Sequence, residues 1–107
     1  MKRPENIIVG NRTYKVIIDP ALQLREGLQG SCDHQKLVIS LLPRLFPHQV
    51  DECLWHEVLH AVNAVYLNSK LSEEEIHNLG QGLSQVILNM RISFEWEEQA
   101  ILKGISG

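Results

Sequence analysis

PHQVDECLWHEVLHAVNAVYL, residues 47–67, contains no glycine and has proline only at its first position. Pro47 suits the opening turn of a helix, and Asp51 and Glu52 lie early, where the helix dipole favours acids. The stretch therefore predicts an α-helix of about five turns. Val50, Leu54, Val58, Leu59, Ala61, Val62, Ala64, Val65 and Leu67 spread apolar character round most of its circumference. A helix so patterned is expected to be enclosed by other elements.

Within it, His56-Glu57-Val58-Leu59-His60 carries two imidazoles four residues apart. On a helix that spacing sends both rings from one face, where they can close on a single ion. Glu57 projects about 100° round from His56, toward an open coordination position, where it can take a proton from water. This is the H-E-x-x-H arrangement of zinc hydrolases. The competing account, two part-buried histidines beside a solvated Glu57, needs a hydrogen-bond partner for each group, because an unpaired buried polar group costs about 1–3 kcal/mol. One metal ion satisfies them together.

Such sites usually take three protein ligands and a water. The metzincin extension is excluded, because Asn63 and Tyr66 stand where its Gly and His would fall. Downstream, Ser72 and Glu75 form a capping box that starts a second helix, with Ile76, Leu79, Leu83, Val86, Ile87 and Met90 as its expected apolar stripe. The short connection makes the two helices antiparallel neighbours, which brings the first turn of the second toward His60. Periodicity leaves the third ligand open among Glu73, Glu75 and His77.

The order H-E-x-x-H, a short connection and Glu-x-x-apolar at a helix start resembles the small gluzincin-like metallopeptidases, including minigluzincins and ImmA/IrrE-type proteins of bacteria and phages. In the latter a Glu-x-x-Ala-Asn-x-Phe-Ala stretch supplies the third ligand, and on this chain it falls on Glu73-Glu74-Glu75-Ile76-His77-Asn78-Leu79-Gly80. The resemblance thus implies Glu73 as ligand. Residues 52–61 and Gly82-Leu83-Ser84-Gln85-Val86 are also similar to stretches of short phage and prophage proteins. His77 departs from the ImmA/IrrE pattern, and the extended C-terminal region of those proteins has no counterpart.

Upstream, Asn6-Ile7-Ile8-Val9 and residues 12–18 are β-rich runs joined by Gly10-Asn11, a hairpin dipeptide. Asp19-Pro20 ends the second strand, and a short irregular or helical stretch through 21–27 precedes two further β-like runs, 28–32 and 36–41, turning at Asp33-His34-Gln35. Strand 36–41 is a candidate edge strand beside the cleft, able to hold an extended substrate by backbone pairing. After the second helix, Ser93 is expected to cap a third over 94–103, ending at Gly104. Phe94 and Trp96 would supply packing, or, if exposed, a homodimer or partner surface.

With 107 residues, 44% hydrophobic and 21% charged, the chain reads as one domain, 1–107. Its fold class is expected to be α+β: a minimal zincin-like fold with an antiparallel or mixed sheet of about three to four strands on two antiparallel helices, plus a C-terminal helix. A net charge of −3 gives no footprint for nucleic acid. No signal peptide or membrane-length apolar run is seen, and Cys32 and Cys53 form no C-x-x-C pair, so a cytoplasmic protein with reduced thiols is expected.

The resulting expectation is a zinc site of His56, His60 and Glu73 with Glu57 as general base, hydrolysing amide bonds of a peptide or protein substrate. Tyr14, Tyr66 and His34 are the available stabilisers of a developing oxyanion. Two alternatives stand beside it: a zinc-binding phage or prophage protein without useful turnover that acts through protein contacts, and a metal-free helical interaction module.

Overall fold

The computed structural model describes residues 1–44 and 46–97. Gly10, at φ 62°, turns β1 (Asn6–Val9) back into β2 (Arg12–Ile18) as an antiparallel hairpin. A side chain at Gly10 would place its Cβ 2.7 Å from Val65, so this turn needs glycine both for its backbone and for the approach of a helix. A one-and-a-half-turn helix, α1 (Leu22–Glu26), drops Leu22 into the interior and stops at Gly27 in the left-handed conformation.

The chain then forms β3 (Gly30–Asp33) and β4 (Val38–Leu41), whose turn is held by Asp33 Oδ1 accepting from the Gln35 and Lys36 amides at 2.9 Å each. The sheet order is β1-β2-β4-β3, mixed, with β2 and β4 parallel and both outer pairs antiparallel. β4 is therefore an inner strand, contrary to the expected edge position of 36–41. The sheet's edge strands are β1 and β3, because β2 and β3 occupy both sides of β4, and Gly30 puts the β3 edge at the cleft.

Helix α2 (Pro47–Tyr66) starts with Pro47 in its first turn and the Gln49 side chain accepting from the Phe46 amide at 3.2 Å. It lies across one face of the sheet. Val50, Leu54 and Ala61 meet Val9, Tyr14, Val16, Ile39 and Leu41 in a single core. Asp51 is not a solvated dipole acid: it is buried, and Trp96 Nε1 donates to its Oδ1 at 2.7 Å.

Helix α3 (Glu73–Asn89) packs on α2 rather than on the sheet. Its start and its middle match α2 in reverse, Glu73 beside His60 and Gly80 beside His56, so the helices are antiparallel. The face turned inward is Ile76, Gly80 and Ser84. Leu79, Leu83, Val86 and Met90 of the expected stripe are exposed, because the helices approach most closely where α3 carries small residues.

The expected C-terminal helix does not begin at Phe94. Residues 94–97 are non-helical, and Glu95 forms an isolated parallel bridge with Lys2. Residues 98–103 of that expectation lie outside the described residues. Trp96 is buried and Phe94 packs against the core, so the aromatic pair serves packing and not an exposed surface.

Candidate metal centre

One turn separates His56 and His60 on α2, and their ring centroids are 4.9 Å apart. Glu73, the first residue of α3, meets both. Its Oε1 lies 3.3 Å from His56 Nε2 and 3.2 Å from His60 Nε2. One ligand atom from each of the three residues lies within 4.8 Å of the other two, a spacing that could hold a metal ion. Two imidazole nitrogens and a carboxylate oxygen suit a borderline-soft divalent cation.

The connector explains how Glu73 arrives. Asn63, buried on α2, accepts from the Leu71 amide at 3.0 Å and donates Nδ2 to the Leu71 carbonyl at 3.3 Å. Two residues later the capping box opens α3: Glu75 accepts from the Ser72 amide at 2.8 Å, and Ser72 Oγ accepts from the Glu75 amide at 3.1 Å. Glu75 is thus engaged at the cap, and its carboxyl is held below the usual range by the Ser72 hydrogen bonds. His77 lines the same cleft with its ring centroid 6.2 Å from that of His56, outside the group of three. Among the residues left open by periodicity, Glu73 is the one brought to both histidines.

Glu57 is only 6% exposed, and burial, reinforced by the nearby Glu73 charge, pushes its carboxyl up to about 7. It faces β3: a Cβ added at Gly30 would lie 2.8 Å from Glu57 Oε2. Burial also pulls His56 below its ordinary value, with His60 adding to the effect, which favours the neutral ring that binds metals. Glu57, His56, His60, Glu73, His77 and Gly30 line a cleft of about 530 Å³. Arg44, bonded to Gln29, is the one Lys or Arg among its described lining residues.

The three candidate oxyanion stabilisers separate. Tyr66 is exposed at the far end of α2, near the Gly10 turn. Tyr14 is fully buried, and its hydroxyl shares a 3.1 Å hydrogen bond with His34 Nδ1. His34 is lowered first by burial and then by the His60 charge, and neither residue of the pair lines the cleft. Both cysteines are free thiols raised by burial, Cys32 to about 12, so neither supplies a ready thiolate.

No family model, curated protein or solved structure matches this chain. Function is accordingly read from the side chains themselves. Sequence reasoning missed Asn63 and Gly30. The first had a signal, an amide within an apolar helix; the second had none, because its role is the room it leaves for Glu57.

Proposed function

We propose that this protein is a zinc-dependent metallopeptidase of the small gluzincin-like kind, with His56, His60 and Glu73 as ligands and Glu57 as general base. The observation that carries the reading is the convergence of two imidazole Nε2 atoms on one Glu73 oxygen, 3.3 and 3.2 Å away, beside a buried carboxyl at the wall of an open cleft. Bound there, zinc would supply Lewis acidity to water and to a scissile carbonyl. Glu57, raised to about 7, is poised to take a proton from attacking water near neutrality and to return it to the leaving amine. Gly30 keeps the wall low where Glu57 must reach. The free edge of β3, on which Gly30 lies, offers backbone groups to an extended peptide.

Metal analysis after gentle purification should give about one zinc per chain. Glu57→Gln should keep that zinc and lose hydrolysis of a mixed peptide library, whereas His56→Ala should lose both. Full hydrolysis by the Glu57→Gln variant would remove the proposed base. A second reading, a zinc-binding protein that acts through contacts instead of turnover, is favoured by the apolar residues left exposed along α3. It predicts bound zinc with no cleavage of any library peptide.

A further inference from the structure

On α3, Leu79, Leu83, Val86 and Met90 follow one another at steps of four, three and four residues. That is the a/d spacing of a coiled-coil seam. They are 51%, 38%, 51% and 63% exposed, while the same helix turns Gly80 and Ser84 inward against α2. At 100° per residue the ridge lies to one side of the buried face, and Glu73, His77 and Gln81, which line the metal cleft, lie to the other. An apolar seam therefore runs from Leu79 to Met90 at the C-terminal cap of α3, away from the metal cleft and left partly exposed by the described residues.

The charge on α3 says how it would be covered. Its only ionisable side chains other than His77 are Glu73, Glu74 and Glu75, all in the first turn, and Arg91 follows its C-terminal end. A parallel pairing of two such helices would bring six carboxylates together. An antiparallel pairing keeps the two acidic turns apart, sets Arg91 of each copy opposite Asn78 of the other, about one turn from Glu75, and opposes the two helix dipoles. Under that two-fold, Leu79 meets Met90 and Leu83 meets Val86, so the seam is self-complementary.

We propose that α3 is a homodimer seam, pairing antiparallel with α3 of a second copy through Leu79, Leu83, Val86 and Met90. Four half-exposed side chains fall short of the ~800 Å² per partner of a stable interface, so the dimer is weak and forms with rising concentration. The proposal is independent of the metal reading, because the ridge and the cleft occupy different sides of the helix.

Sedimentation equilibrium of the full chain across roughly the micromolar to millimolar range, where weak interfaces of this size operate, tests it. The expected result is reversible approach to twice the chain mass. Leu83→Lys and, at the end of the seam, Leu79→Gln should each give a single-chain mass with unchanged far-ultraviolet circular dichroism and unchanged zinc content. Arg91→Glu should weaken association by roughly five- to tenfold, as expected for the loss of one charge complement. A wild-type chain that stays monomeric throughout, as it would if residues 98–107 covered the ridge, overturns the proposal, as do folded Leu83→Lys and Leu79→Gln variants that still dimerise. Arg91→Glu with unaltered affinity overturns the antiparallel arrangement.

Discussion

Gly30 owes its importance to the side chain it lacks, because that space is taken by Glu57, the proposed general base. The glycine lies on β3 where a methyl group would come 2.8 Å from Glu57 Oε2, and the atom it would strike is the far end of a side chain, not backbone. Gly30→Ala is therefore expected to fold normally and to move the carboxylate instead. Hydrolysis should drop at least tenfold, the scale on which misplacing a catalytic group acts, while zinc stoichiometry stays at that of the wild type. Rates and metal content measured on the same preparation check this, and an unaltered rate would show that Glu57 has other room to move. The H-E-x-x-H residues announce themselves by spacing. Gly30 could not, since the space it protects belongs to a residue far along the chain.

Among the elements, the two long helices were the most legible, because each carries its own start signal: Pro47 for α2 and the Ser72/Glu75 box for α3. The β1–β2 hairpin was equally plain from Gly10-Asn11. The rotation of α3 was not. Apolar periodicity assigned Leu79, Leu83, Val86 and Met90 to the interior, yet close approach to α2 selects the small residues Gly80 and Ser84, and tertiary packing outweighs the hydrophobic pattern. The join between α2 and α3 rests on Asn63, whose side chain both accepts from and donates to Leu71. Asn63→Ala should cost about 1 kcal/mol, since it removes two hydrogen bonds to part-buried backbone groups at the connector. It should also weaken zinc binding, because Glu73 follows two residues after Leu71. Denaturant melts and competitive zinc titrations read the two effects separately, and a variant as stable as wild type would remove Asn63 from the account.

For the whole molecule, the pairing of β2 with β4 joins segments that only the finished fold brings together, and neither strand's sequence declares a parallel neighbour. Segment 94–97 was misread for a related reason. Ser93 and the residues after it look like a helix start, but Lys2 and Asp51 capture Glu95 and Trp96 from distant parts of the chain. Global stability should also carry the mark of Glu57. Its folded value of about 7 exceeds the ordinary 4.5, so between those limits the native state holds the proton more tightly than the unfolded chain. Stability of the metal-free protein therefore falls as pH rises from about 4.5 to 7, by up to about 3 kcal/mol at ~1.4 kcal/mol per unit, and levels off above. His56, lowered in the fold, acts with the opposite sign, gaining stability as pH rises toward its ordinary 6.5. Chemical denaturation under chelation, compared between wild type and Glu57→Gln, isolates the carboxyl: the wild-type advantage should shrink across that interval. A constant difference would mean that Glu57 is not protonated in the native state.

His60 and Glu73 are only 13 positions apart, and Asn63 already ties the intervening chain into a closed bend. A cation seated there would grip ends that the core and the Asn63 bonds already hold together, and it would add stability only through its affinity for the folded chain. Stripping it should therefore leave the scaffold standing, unlike the metal-built fingers that collapse without their ion. On the proposed reading, the fold prepares the grip, and the ion's departure would end hydrolysis without dismantling the architecture.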